Sequence, residues 1–230
     1  MKKLVVLSGS GLSAESGIQT FRDMGGLWEQ YDITEVASPH AWETNRQVVL
    51  DFYNQRRKQL FECRPNTAHY ALAELEESFE VSIITQNVDD LHERAGSSNV
   101  LHLHGELKKA RSTIDPHLIY EMDHWELKEG DLCEKGSQLR PHIVWFGESV
   151  DAIAEAAEIA ATADIFLVIG TSLSVYPAAG LIEFVPAAVP VFIIDPGSPA
   201  YISSPNIEVL KHKATSGMEI LKEKLEKLRE

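Results

Sequence analysis

The chain is 230 residues long, 44% apolar and 24% charged, with 14 glycines and 10 prolines, which describes an ordinary globular protein able to bury a full core in one domain, or in one large and one small. Its 35 acidic and 21 basic residues leave a formal charge of -14. That argues against a partner of nucleic acid or of an anionic membrane, because phosphate surfaces require a basic face. The two cysteines, Cys63 and Cys133, lack CxxC spacing, so a disulfide scaffold is not indicated and a reducing cytoplasm suits the chain.

The first apolar run, residues 4–7, is too short for the core of a signal sequence. No run approaches the roughly eighteen apolar residues of a membrane span, and a soluble, cytoplasmic protein is expected. Further runs follow at 81–84, 100–103, 143–146, 165–169 and 191–194. Most are β-branched and apolar throughout, as in strands covered on both faces of a parallel sheet. Helical patterns lie between them. Asn66 is placed to cap a helix over 67–77 with Ala68, Ala71, Leu72 and Leu75 as its apolar stripe. Asp151 opens an alanine-rich segment to 161, and Ser216 or Gly217 starts a C-terminal helix with Met218, Leu221, Leu225 and Leu228 at helical spacing. The alternation predicts an α/β fold with an open, doubly wound parallel sheet. Residues 28–61 and 108–140 interrupt it and are too long for ordinary loops. They are expected to form a small second lobe by two insertions, leaving 1–27, 62–107 and 141–230 as the main domain.

Most of the apolar runs end in small or polar residues. Gly9, Ser10 and Gly11, then Ser13 and Ala14, follow the first; Gln86, Asn87, Val88 and Asp89 follow the second; His104 follows the third; Gly170, Thr171 and Ser172 follow 165–169; Asp195 and Gly197 follow 191–194. Carboxyl ends of strands in an open sheet meet at one edge, where such sheets bind ligands. Gly9-x-Gly11-x-x-Ala14 has the spacing of a dinucleotide fingerprint, although a plain glycine turn has the same letters. The acid that ordinarily ends a second strand about twenty residues later has no counterpart here, since Tyr31-Asp32 follows no strand. Phe21-Arg22-Asp23 stands earlier instead, and Arg22 suits a pyrophosphate. The loop therefore reads as an NAD site unlike a dehydrogenase's. His104 carries a group that titrates near neutrality, as a general base must; His102 shares its strand face and competes for the role, while His92 and His142 read as structural. Tyr53 and Arg56 share one face of a helix.

Together "GSGLSAESGIQTFRD", "TQNVDDLHERAG", "LHLHG", "HIVWFGE" and "GTSLSVYPAAGL" resemble the sirtuins, the NAD-dependent protein lysine deacylases, over roughly residues 4 to 217. The resemblance implies a Rossmann-like domain that binds NAD through Gly9, Ser10, Gly11, Ser13, Ala14, Phe21, Arg22, Gln86, Asn87, Val88, Asp89, Gly170, Thr171, Ser172, Asp195, Gly197 and Ala214. It implies that His104 is the base, with Asn87 and Asp89 at the nicotinamide ribose. An extended acyl-lysine peptide would pair with 142–148, including Val144, Phe146 and Gly147. The products would be free lysine, nicotinamide and O-acyl-ADP-ribose. Tyr53-x-x-Arg56 resembles the bacterial subgroup that removes succinyl and malonyl groups, with Arg56 as a fork for the acyl carboxylate. A protein ADP-ribosyltransferase and a non-catalytic NAD or ADP-ribose sensor are the rival readings. The sequence departs from the family where two cysteine pairs ordinarily hold zinc: Ser112, Asp115, Cys133 and Ser137 stand there. No structural zinc is expected, and Leu118, Ile119, Tyr120 and Trp125 are expected to hold the small lobe instead.

Overall fold

The structure, a computed structural model, describes residues 1–19, 32–197 and 204–229. Its elements in chain order are β1 (Lys3–Ser8), α1 (Ser10–Ala14), α2 (Ile33–Val36), α3 (Pro39–Thr44), α4 (Arg46–Glu62), α5 (Thr67–Glu74), β2 (Glu80–Thr85), α6 (Leu91–Ala95), β3 (Val100–His102), β4 (Gly105–Ser112), β5 (Ile119–Glu121), β6 (Leu139–Ile143), α7 (Ile153–Ala161), β7 (Ile165–Ile169), β8 (Val191–Ile194), β9 (Ile207–Leu210) and α8 (Ala214–Glu226). Short 3₁₀ turns follow α5 and β7.

Six strands form a parallel sheet in the order β3-β2-β1-β7-β8-β9. Both faces are covered, which is why its strands read as unbroken apolar runs. Leu4 and Val6 of β1 pack with Leu72 of α5 and Met218 and Leu221 of α8. Val5 and Leu7 point the other way, into a second core with Ala156 and Ala160 of α7 and Leu181. Asn66 caps α5 as its sequence position implies: its side chain accepts from Ala68 N at 3.0 Å, and its own N–H donates to His69 Nδ1 at 3.3 Å.

Several boundaries differ from the expected ones. The run 143–146 is not a strand of the parallel sheet. Its first residue ends β6, which pairs antiparallel with β4, and residues 144–146 continue as irregular chain. A short apolar run does not encode which sheet it joins. β9 escapes the apolar pattern because Glu208 interrupts it. At α8 the helix opens at Ala214, because Ser216 bonds back to the Lys213 carbonyl inside the first turn rather than capping it. α7 opens at Ile153, with Asp151 engaged by Ser149 Oγ at 2.7 Å.

β4, β5 and β6 form a separate antiparallel sheet in the order β5-β4-β6. Beside it, Leu50, Phe52, Tyr53 and Leu60 of α4 cluster with Leu107, Ala110, Met122, Leu127 and Ile143. The expected core of Leu118, Ile119, Tyr120 and Trp125 is not found. Ile119 and Trp125 are 44% and 39% exposed; Ile119 lies on β5, an edge strand, and Trp125 in the loop beyond it. A buried polar staple accompanies the apolar contacts. Arg57, fully buried, donates from Nε to the Leu107 carbonyl and from Nη1 to Asn54 Oδ1 at 2.9 Å and the Trp125 carbonyl at 2.7 Å. Asn54 in turn pairs both backbone groups of Leu127 at 2.9 Å. Burial lowers the Arg57 pKa to about 10, so the guanidinium stays charged at neutral pH.

The positions where the resemblance implies zinc ligands do not fit the metal. Ser112 Oγ accepts from Ile114 N and Asp115 N at 3.2 Å. Asp115 pairs with Lys135 Nζ at 2.7 Å, Ser137 bonds Thr113 Oγ1, and Cys133 stands as the one thiol beside them. A single sulfur with two hydroxyls and a lysine-paired carboxylate is not a tetrahedral structural zinc set. Elemental analysis of protein purified without added metal should find no stoichiometric zinc, and EDTA should leave Tm unchanged. One zinc per chain would overturn this reading.

Candidate active site

In the parallel sheet the chain leaves β1 toward β2 and β3, then returns to β7 on the other side. The strand order reverses between β1 and β7, and the carboxyl ends there open into a crevice of about 1520 Å³, the position where open α/β sheets take ligands.

The floor is built by two loops in backbone contact. Gly9 N donates to the Ile169 carbonyl at 3.0 Å and Gly11 N to the Gly170 carbonyl at 2.9 Å. A Cβ on Gly11 would stand 2.9 Å from Gly170 Cα. The glycines that suggested a phosphate turn are thus required first by loop-to-loop packing. Gly9, Ser10, Gly11, Ser13, Ala14, Gly170, Thr171 and Ser172 all line the crevice.

The segment after β2 closes over this floor. Gln86 N donates to the Ser8 carbonyl at 2.9 Å, and its side chain donates to Thr171 Oγ1 at 3.2 Å. Asn87 Nδ2 donates to the Gly9 carbonyl and Ser13 Oγ, both at 3.1 Å. Asp89 is buried and accepts from Leu91 N at 3.2 Å. Burial raises its pKa, against hydrogen bonds from Ser13 and Leu91 and the nearby charge of His102. Gln86, Asn87, Val88 and Asp89 line the crevice.

His104 lies just beyond β3, tied on both sides. Its carbonyl accepts from Val144 N at 2.9 Å, and its Nδ1 is 3.0 Å from the Gln86 carbonyl. A carbonyl only accepts, so Nδ1 carries the proton and the neutral ring keeps its lone pair on Nε2. Burial lowers the His104 pKa, partly offset by the Gln86 bond; the ring is neutral at physiological pH. His104 lines the crevice, whereas His92 and His142 do not. His92 is buried, with Nε2 at 2.9 Å from Ser8 Oγ.

Tyr53 and Arg56 of α4 also reach the crevice, with Val144, Phe146 and Gly147 on the facing segment. Trp145 Nε1 donates to the Tyr53 hydroxyl at 3.1 Å, and Arg140 lies over the Trp145 ring while forking onto Glu148 at 2.7 and 3.0 Å. Asp195, Gly197 and Ala214 line the far end, where Asp195 Oδ1 accepts from Gly197 N at 2.8 Å. Phe21 and Arg22 lie outside the described residues. Asp32 and Lys213 line the crevice as well, in loops without a motif, as do Tyr176 and Pro177, which lie inside the GTSLSVYPAAGL stretch but are not singled out there.

The donor set fits a dinucleotide: a floor without side chains, hydroxyls at Ser10, Ser13 and Thr171, neutral amides at Gln86 and Asn87, and a carboxylate at Asp195 with acceptor capacity left for a ribose hydroxyl. Comparisons with known proteins agree. A Helicobacter pylori protein called NAD-dependent protein deacylase is 55% identical over 98% of this chain and 96% of its own length. A Bacteroides thetaiotaomicron protein of the same name is 54% identical over 98% of each. The solved complex of a Sir2 homolog with NAD superposes with a TM-score of 0.87 at 39% identity, covering 100% of this chain and 91% of that one. The sequence profile of the Sir2 family matches residues 9–177, from the glycine floor to the loop after β7, and the chain belongs to the Sir2 family.

Proposed function

We propose that the protein is an NAD-dependent protein-lysine deacylase with His104 as its general base. One observation carries the reading: a neutral histidine, its Nδ1 fixed by the Gln86 carbonyl at 3.0 Å, stands in a dinucleotide-sized crevice beside Asn87 and Asp89. Bound NAD would supply a ribose C1′ at which the acyl oxygen takes the place of the departing nicotinamide, so that, with one water consumed, lysine is freed and the acyl group is carried as O-acyl-ADP-ribose. Gly9, Ser10, Gly11, Ser13, Ala14, Gly170, Thr171 and Ser172 hold the phosphates and adjoining sugar, with Asp195, Gly197 and Ala214 at the adenosine end. Gln86, Asn87, Val88 and Asp89 orient the nicotinamide ribose, and the Asp89 carboxylate favours positive charge developing there. His104 takes a ribose hydroxyl proton at Nε2. Val144, Phe146 and Gly147 line the path of the peptide. The acid-rich chain and its free thiols suit a cytoplasmic enzyme acting on lysines, with neither nucleic acid nor membrane as partner; among the described residues no helix is long and apolar enough to cross a membrane.

Incubation with NAD and an acyl-lysine peptide tests the reading by mass spectrometry. Nicotinamide, free lysine and O-acyl-ADP-ribose are expected. ADP-ribosylated protein, or binding of NAD without turnover, would overturn it in favour of a transferase or a sensor.

The acyl preference follows from α4. Burial raises the Tyr53 pKa to about 12, so its hydroxyl keeps its proton. It accepts from Trp145 and can donate to an acyl carboxylate, while Arg56, 8% exposed and lining the crevice, offers a fork. Succinyl- or malonyl-lysine should be preferred over acetyl-lysine. Arg56→Met should cut kcat/KM for the acidic acyl peptides by roughly 10- to 100-fold while sparing the acetyl peptide; an unchanged ratio would refute the assignment.

A further inference from the structure

We infer that His102 is a positioning residue for the proposed reaction, held as an imidazolium between the Asn87 carbonyl and the Glu93 carboxylate, where it fixes the 86–89 segment over the crevice. Its Nδ1 is 3.0 Å from the Asn87 carbonyl and its Nε2 is 2.8 Å from Glu93 Oε1. Both partners are pure acceptors, so the ring satisfies both only with a proton on each nitrogen. The His102 side chain is 8% exposed, and an unmade bond there would leave a buried polar atom unsatisfied.

The groups facing His102 come from each neighbouring element: Glu93 and His92 from α6, Asp89 from the segment after β2, and Glu106 from β4, the last bonded at 2.8 Å to Lys109. Burial opposes the charge. The Glu93 bond and charge, with Glu106 and the Asn87 carbonyl, overcome it and raise the pKa above 6.5. His102 and His104, two positions apart, thus stand in opposite states: a charged clamp and a neutral base. On losing its proton, His102 keeps one of its two bonds, and Asp89 loses the positive charge that favours its ionised form. Because Asn87 also ties the glycine floor at Gly9, the loosening reaches the NAD cradle.

The catalytic consequence rests on the deacylase reading; the protonation state does not. Imidazole ¹⁵N spectra of the full chain at pH 7 should show both His102 nitrogens protonated and His104 as the Nδ1–H tautomer. A neutral His102 would overturn the inference. The pH profile of kcat/KM for NAD should carry an alkaline limb set by His102. Glu93→Gln, a change at a half-exposed side chain, should move that limb toward neutrality by about one pH unit and leave the acid limb in place. His102→Gln should abolish the limb. A Glu93→Gln profile lowered evenly, with no limb displaced, would mean that the pair is merely structural and would also overturn the inference. If wild type and variants alike release no nicotinamide, it is the deacylase reading that fails, and the spectra still decide the clamp.

Discussion

His104→Ala is expected to lower kcat for deacylation by roughly 10³-fold, the middle of the range for loss of a positioned general base, while the Kd for NAD changes by no more than a few-fold. The separation arises because the floor and the 86–89 segment are held by bonds that do not involve the imidazole: Gly9 on Ile169, Gly11 on Gly170, and Asn87 on Gly9 and Ser13. His104 spends Nδ1 on the Gln86 carbonyl, so alanine removes the only part of the ring assigned to chemistry, Nε2, and one hydrogen bond. The pH dependence has a definite sign. Burial depresses the His104 pKa below 6.5, and the active form is the neutral one. The acid limb of activity should therefore lie below pH 6.5, leaving His104 in its active form at neutrality. The same depression works on stability: the folded state resists the proton that the unfolded state takes up, so stability is lost as pH falls below 6.5 toward the folded value. Calorimetric NAD titration and steady-state kinetics check the claim. A variant that loses NAD affinity and kcat together would make His104 a structural residue.

The sheet was legible because burial on both faces leaves a plain trace. Leu4, Val5, Val6 and Leu7 are apolar without alternation because both faces need covering, and α5, α7 and α8 cover them. The site was legible because polar residues directly after such runs have no core reason to be there. Its internal division of labour was not. His102 and His104 are the same residue type on the same strand end, and only their partners, Glu93 and Asn87 for one and Gln86 for the other, separate the proposed clamp from the proposed base. The antiparallel sheet and its packing were less legible still. Its apolar residues are sparse and its edge strand exposed, so Ile119 and Trp125 resemble core residues while Met122 and Leu127 fill the core. No spacing rule marks Arg57 as a buried staple to three partners scattered along the chain. β9 and the run at 143–146 show the remaining limit: alternation and apolarity define a strand, and its neighbours in the sheet are decided elsewhere.

Gly170→Ala should be strongly destabilising, and it should remove NAD binding with it. Gly170 has φ of 65°, and a Cβ there would stand 2.2 Å from Leu12 N and 2.7 Å from Gly11 C. Both are backbone atoms, so no rotamer relieves the contact and the two loops must part. Parting them costs the bonds from Gly9 N to Ile169 and from Gly11 N to Gly170, which make the crevice floor. The left-handed backbone and the overpacking together amount to roughly 2–5 kcal/mol, or a Tm lower by about 5–15 °C in a chain of this size. Gly136→Ala separates the two causes. Gly136 has φ of 72° with nothing within 4 Å of its Cβ position, so it carries the backbone penalty alone and lies away from the crevice. Thermal melts with and without NAD should show Gly136→Ala slightly less stable and still shifted upward by NAD, and Gly170→Ala much less stable with the NAD shift gone. Equal melts for the two variants, with the ligand shift retained in both, would mean that the loops separate freely and that the close approach does not build the cradle.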